Sequence, residues 1–311
     1  MPKDGVIFDL IIIGAGPAGI SASIYASRYK LNHLILGVEQ GGQMTEIYEI
    51  ENYPGIFSVS GKELMGKFLE HLENFGMKVR NESVSSIEKN GEGLFEVKTS
   101  KKNYLAKAII LAMGAVYRKM NISGEKEYIG KGVSYCATCD ARFFKDKIVS
   151  VAGGGNSAAV VALEMADFAK KVYLICRDEK LLAEPAWLDK IYANKKIEVI
   201  KSVNILEIKG SEKVEKIVLD KPVNDKTSLA VDGVFIEVGT EPGVELARKL
   251  KIEKDERNYI KVKADQSTNI PGVFAAGDIT TGSNKFCQVL TACAEGAIAA
   301  NSTYKMIKLK S

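Results

Sequence analysis

Unbroken apolar runs alternate with amphipathic stretches along this chain, and one order of elements occurs twice. Phe8-Asp-Leu-Ile-Ile-Ile13 is the kind of short run that fills a parallel strand covered on both faces. The turn Gly14-Ala-Gly16-Pro17-Ala18-Gly19 follows, then a helix pattern near Ile20–Ser27 and a second strand at His33–Leu36. Further on, Ile148–Ala152 predicts a strand, Gly153-Gly-Gly155-Asn156-Ser157-Ala158 a turn, Ala158–Phe168 a helix and Lys171–Ile175 a strand. This repetition reads as a duplicated dinucleotide-binding plan. Between the copies, Val84–Lys107 predicts a small antiparallel sheet, with Phe95–Lys98 alternating and Gly91-Glu-Gly93 as its turn. Ala108–Ala112 predicts another buried strand, ending at Met113-Gly114, and Thr268–Asp278 a strand closing on a Gly277-Asp278 turn.

Glycines at these turns let backbone approach a phosphate, which the free N–H groups and dipole of a helix N-terminus then hold. Small Ala158 allows helix and strand to pack closely in the second copy. In the first copy the acid expected at the end of the second strand for ribose contact is not immediately there. Gly37 stands in its place and Glu39 lies slightly beyond. A flavin dinucleotide on the first fingerprint would let Asp278 accept hydrogen bonds from the ribityl hydroxyls. The expected fold class is α/β, with two Rossmann-type (three-layer ββα/βα) nucleotide-binding domains, the second inserted in the first. The expected boundaries are 1–116 and 244–311 for a split flavin domain, and 117–243 for an inserted second nucleotide domain.

A length of 311 residues suits about two domains with substantial cores, and 46% hydrophobic with 26% charged residues is ordinary globular composition. A net charge of +4 from 43 basic and 39 acidic residues, without a basic cluster, gives no ground for nucleic-acid binding. Lys305, Lys308 and Lys310 read as a solvated tail. No segment reaches the roughly 18 continuous apolar residues of a membrane span. Met1–Asp4 leads into a strand by Val6 with no room for a signal peptide. Five cysteines in a chain this long do not form a secreted disulfide framework, so a reducing cytoplasm is the expected compartment.

Cys136-Ala-Thr-Cys139-Asp140 lies between the two fingerprints. A Cys-x-x-Cys pair in a reducing compartment is a redox or a metal candidate. Zinc would need a second ligand pair, and Cys176, Cys287 and Cys293 form none, while His33 and His71 have no cysteine beside them. No metal is expected. Those three cysteines read as small buried hydrophobes, and Trp187 as a packing residue.

Together, Gly14–Gly19, Gly41-Gly42-Gln43, Glu51-Asn52-Tyr53-Pro54-Gly55, Cys136–Asp140, Gly153–Ala158 and Gly272–Asp278 closely resemble low-molecular-weight thioredoxin reductases in order and spacing. The resemblance spans nearly the whole chain. It implies FAD in the split domain, a homodimer and, in most members, NADPH. Gly14, Gly16, Pro17, Ala18, Gly19, Gly42, Gln43, Asn52, Gly114, Gly277, Asp278 and Gln288 are then the FAD-binding candidates. Gly153, Gly155, Asn156, Ser157 and Arg177 are the candidates for a second nucleotide. The same resemblance places Cys139 toward the flavin C4a, gives Cys136 the attack on a partner disulfide, and makes Asp140 the acid/base.

Departures from the family bear on the donor. Members that use NADPH carry His-Arg-Arg-x-x-x-Arg after the second strand of the inserted domain, and here the place reads Cys176-Arg177-Asp178-Glu179-Lys180-Leu181-Leu182. Only Arg177 is kept, and the added carboxylates would repel a 2′-phosphate. Val160 and Val161 replace an acidic pair in the following helix. NADPH, NADH, or a non-pyridine donor, ferredoxin first and a deazaflavin second, therefore all stand as donor readings. Ala141-Arg142-Phe143-Phe144 replaces the usual Gly and two aromatics after the dithiol, and points to a thioredoxin or glutaredoxin-like partner. Alternative functions are a flavoprotein reductase of a peroxiredoxin, or a flavin redox sensor or binding protein without turnover.

Overall fold

The computed structural model describes residues 6–247 and 249–309, so Met1–Asp4 and Lys310 lie outside the described residues. The chain divides into two compact units, one formed by 1–116 with 241–311 and the other by 117–240.

The first unit begins with β1 (Ile7–Ile13), α1 (Pro17–Arg28), β2 (His33–Leu36), α2 (Gly61–Asn74), β3 (Val84–Lys89), β4 (Phe95–Thr99) and β5 (Asn103–Leu111). Helix α1 starts three residues before the hydrophobic pattern does. Pro17 takes its first position, where the missing N–H costs nothing and the fixed φ suits the helix. Strand β5 merges what the sequence pattern separates. Its burial alternates over Asn103–Ala108 and becomes continuous over Ile109–Leu111, because its neighbour changes. Antiparallel β4 pairs with its first half, and the strand at Val273–Ala275 pairs in parallel with its last three residues.

The second unit holds β6 (Ala115–Tyr117, which straddles the boundary), β7 (Val133–Ser134), α3 (Ala137–Asp140), β8 (Ile148–Ala152), α4 (Asn156–Phe168), β9 (Lys171–Cys176), α5 (Pro185–Ala193) and β10 (Ile197–Lys201). Strands β11 (Ile205–Gly210), β12 (Val214–Val223), β13 (Lys226–Ala230) and β14 (Gly233–Ile236) complete it, and β15 (Thr240–Pro242), like β6, straddles the boundary. Its main sheet is parallel, in the order β10-β9-β8-β14-β7, and β11-β12-β13 form a separate antiparallel sheet. Alternate side chains sort into two cores. Val149, Val151, Leu174 and Phe235 pack with Ala158, Ala162 and Met165 of α4, whereas Ile175, Val234 and Ile236 pack with Ile208, Ile217 and Leu229 of the antiparallel sheet. The unit is therefore three layers deep: helix, parallel sheet, antiparallel sheet.

The chain re-enters the first unit and contributes β16 (Val273–Ala275) and α6 (Val289–Lys308). The sheet order β2-β1-β5-β4-β3, with β16 also on β5, has helices α1 and α6 against one face. Ile11, Ile13, Ile109 and Leu111 face the other, with Ile87, Phe95 and Val97. Lys305 and Lys308 are not tail residues. They form the last turn of α6, where cations meet the helix dipole favourably, and Lys308 lies 3.7 Å from Asp9.

Candidate active site

Cys136 and Cys139 are joined as a disulfide, with their Cα atoms 5.4 Å apart. Cys136 caps the single helical turn α3, and the Cys139 N–H donates to its Sγ at 3.2 Å. Buried Ser134 ties the approach to this turn, its Oγ accepting from Cys136 N at 3.0 Å and donating to Cys136 O at 3.2 Å. Ala137 and Ala141 anchor the turn in the core beneath. Cys139 is exposed and Cys136 half-buried, so the pair sits at a surface that an attacking or attacked sulfur can reach. Asp140 follows directly, half-buried, its N–H donating to Cys136 O at 3.3 Å. Of the residues expected to meet a partner, Phe143 is 71% exposed and Arg142 is exposed beside it.

Around the first fingerprint the glycines are required by contact. A Cβ on Gly19 would stand 1.9 Å from the Gly14 carbonyl oxygen, and one on Gly14, at φ +114°, 2.0 Å from Ala112 O. Gly16 is the N-cap of α1 and supplies no side chain to its first N–H groups, so these stay available to a phosphate. The loop at Gly41–Gly42 returns to this point. Gly41 N donates to Ala15 O at 2.8 Å, and a Cβ on Gly42 would lie 3.3 Å from the Gly16 Cα. Gly277, at φ +82°, abuts Ala18, and Gly114 O accepts from Gly243 N at 3.0 Å. Asn52 and Gln288 are brought together, Asn52 Nδ2 donating to Gln288 Oε1 at 2.9 Å, while Gln288 also caps α6. Gln43 lies in the adjacent 3-10 turn, Gly42–Glu46.

Asp278 is half-buried, and burial pushes its carboxyl up to about 6, with Glu295 adding to the rise and the Cys287 thiol opposing it. Cys287 is not the buried hydrophobe expected. The residue is exposed, yet its sulfur faces the carboxylates of Asp278 and Glu295, and its thiol is pushed up to about 12 by desolvation and then by those charges. Cys293 is likewise only half-buried, whereas Cys176 is buried beneath Gly154. The sequence pattern does not single out Glu295, which is buried in α6 and accepts from Gly277 N at 2.8 Å and Thr280 Oγ1 at 3.0 Å. An acid on the inward stripe of an otherwise apolar helix was its one signal.

The second fingerprint is built alike but its groups are engaged differently. Gly153, at φ +148°, leaves room for Glu237 O, which a Cβ would approach to 2.2 Å. Gly155 is the N-cap of α4, with open space where its Cβ would be. Asn156 bonds reciprocally to Glu184, donating to Oε1 at 3.0 Å and accepting from the backbone N–H at 2.7 Å. Ser157 is exposed. Arg177 is exposed, with its Nε 3.7 Å from Asp178 Oδ2. Val160 and Val161 pack against the helix-side core, which accounts for their apolar character.

The model of the pyridine nucleotide-disulphide oxidoreductase family matches residues 8–296. The chain belongs to that family, and is an oxidoreductase acting on a disulfide. Within it, the chain is 38% identical over 312 residues to the thioredoxin reductase of Listeria innocua, covering 99% of this chain and 96% of that one. It is 39% identical to the Lactococcus lactis thioredoxin reductase structure, with a TM-score of 0.90, covering 96% of this chain and 98% of that one. A ferredoxin-flavin thioredoxin reductase from Clostridium acetobutylicum is 34% identical with a TM-score of 0.52, covering 96% of this chain and 97% of that one.

Thioredoxin reductases of this family are FAD-binding flavoproteins. The uncapped N-terminus of α1 and the glycine cradle at Gly14, Gly16, Gly19 and Gly42 fit the pyrophosphate of such a cofactor. No helix among the described residues is long and apolar enough to cross a membrane.

Proposed function

We propose that this chain is an FAD-dependent thioredoxin reductase, working as a cytoplasmic homodimer on a thioredoxin or glutaredoxin-like protein. The observation that carries the reading is the surface disulfide Cys136–Cys139 on a turn anchored by Ala137 and Ala141. Gly14, Gly16, Gly19, Gly42, Asn52, Asp278 and Gln288 would hold FAD, which when bound would supply the two reducing equivalents that open this disulfide. The Cys136 thiolate then attacks the partner disulfide and forms a mixed disulfide, releasing one partner sulfur. Attack by Cys139 on Cys136 Sγ releases the second partner sulfur and restores the intramolecular disulfide. Asp140 carries the proton to the departing thiolate.

For the donor, the relative arrangement of Arg177 and Asp178 favours a non-pyridine source. The one arginine retained for a 2′-phosphate already has a carboxylate 3.7 Å away, and Asn156 is committed to Glu184. The likeness to the Clostridium acetobutylicum enzyme supports ferredoxin. Anaerobic mixing of the FAD-loaded protein with NADPH, NADH or reduced ferredoxin, followed at the flavin absorbance, separates the donors. Thioredoxin reduction should vanish in Cys136→Ser and in Cys139→Ser, and its persistence in both would defeat the proposal.

A further inference from the structure

Glu164 is 3% exposed on α4, where the other inward residues are Ala158, Ala159, Ala162, Met165 and Ala166. A carboxyl in such surroundings is unfavourable unless a donor meets it. The donor is Thr138, whose hydroxyl reaches Glu164 Oε2 at 3.3 Å. Thr138 lies between the two redox cysteines, flanked by core residue Ala137. The turn bearing the dithiol is thus seated on α4 by small residues and tied to it through Glu164.

We propose that Glu164 is a positioning residue for the Cys136–Cys139 couple and sets how its thiols ionise, an inference that rests on reading this pair as the redox couple. Opening the disulfide takes two electrons and two protons and yields two thiols, and loss of one proton then gives the attacking thiolate. An ionised Glu164, one hydrogen bond from the backbone that joins the cysteines, opposes that loss. A neutral Glu164 does not. Burial lifts Glu164 to about 7, the Thr138 hydroxyl pulls it down, and Asp167 pushes it up, so its charge changes near neutrality. The elements packed on α4 also carry Asp140, Arg142, Lys171, Tyr173, Asp189, Lys190, Tyr192, Glu198 and Lys201. Asp167, on α4 itself, is the group whose charge acts on Glu164.

The test is the pH profile of thiol alkylation. The FAD-loaded protein is opened with a dithiol reductant, which leaves as its own disulfide, and after its removal is treated with iodoacetamide from about pH 5.5 to about pH 9.5. In the unaltered protein the rate follows the thiol ionisations coupled to that of Glu164. Glu164→Gln keeps an acceptor for Thr138 without the charge. It should show one ionisation fewer, with the thiol step at lower pH, and react roughly threefold faster near neutrality. Thr138→Val keeps the carboxyl and loses the hydrogen bond, so the Glu164 step should move to higher pH. Superimposable profiles for Glu164→Gln and the unaltered protein overturn the proposal and leave the redox reading intact. Should Glu164→Gln fail to fold, an unchanged profile in Thr138→Val overturns it equally. Absence of thioredoxin reduction by the unaltered protein, with the alkylation profiles as expected, strikes the parent reading alone.

Discussion

Tyr135 donates its phenol hydroxyl to Glu125 Oε1 at 2.6 Å, and so fixes the residue immediately before Cys136 to a buried carboxylate. The same carboxylate accepts from Met120 N at 2.9 Å and Ile122 N at 3.3 Å. It therefore joins the entry of the second unit to the approach of the redox turn. Burial, then Glu125, hold the phenol above its usual range, so it remains a donor at physiological pH. Glu125→Ala leaves three donors unmet and should cost about 2 to 4 kcal/mol, whereas Tyr135→Phe leaves the backbone pair satisfied and should cost about 1 kcal/mol. Urea denaturation midpoints of the two variants check the order. Equal losses would show that the carboxylate does not organise the segment.

Asp278 gives a prediction whose sign runs against the usual carboxylate. Its folded pKa, about 6, lies above the ordinary value of 3.8. Its contribution to stability is therefore present below about pH 4 and is lost as pH rises toward 6, because the unfolded chain gives up the proton first. Asp278→Asn should flatten that part of the stability curve and raise apoprotein stability at neutral pH by on the order of 1 kcal/mol. The same variant should purify with less FAD. A gain in stability with full flavin content would remove Asp278 from the cofactor site.

His33 has the opposite sign. Its ring is buried, and Nδ1 lies 3.0 Å from Leu31 O, which can only accept, so Nδ1 carries the hydrogen and Nε2 accepts from Ser23 Oγ at 2.8 Å. Desolvation depresses its pKa below 6.5 despite these bonds. Stability from His33 is present above about pH 6.5 and is lost as pH falls, because the unfolded chain takes up the proton more readily. Thermal melts from about pH 7.5 down to about pH 5.5 should show a falling Tm, and His33→Asn should reduce the slope while lowering the plateau. An unaltered slope would mean that other groups carry it.

These pairings explain what the sequence could and could not disclose. Strands at Phe8–Ile13, His33–Leu36 and Ile148–Ala152 are legible because full burial demands an unbroken apolar run. The fingerprint turns are legible because the close approaches at Gly14, Gly19 and Gly153 exclude any Cβ. Cys136-x-x-Cys139 is legible because its spacing closes a ring within one turn. Glu125, Glu164 and Glu295 are not, since each gains its meaning from a partner that only the fold supplies. Charge alone, in sequence, reads as a solvated surface. The setting of Cys287 is hidden for the same reason: its neighbour Asp278 is set by a turn, not by periodicity.

Gly153 and Gly155 belong to one motif yet should respond very unequally to alanine. At Gly153 a Cβ meets Glu237 O at 2.2 Å with φ at +148°, so Gly153→Ala must move backbone and should cost about 3 kcal/mol or more. At Gly155 no atom lies within 4 Å of the added Cβ, and Gly155→Ala at an N-cap should cost about 1 kcal/mol or less. That open space lies at the N-terminus of α4, where the N–H groups of the first turn would receive a pyrophosphate. Gly155→Ala should therefore weaken any NADPH or NADH binding well beyond its effect on stability. Calorimetric titration of both nicotinamides, with denaturation midpoints measured alongside, makes the comparison. Loss of binding at near-native stability would place a dinucleotide on the inserted unit. Equal binding by the two proteins would exclude the pyrophosphate from that helix end, and absence of binding in both would leave the reducing equivalents to arrive from a carrier other than a nicotinamide.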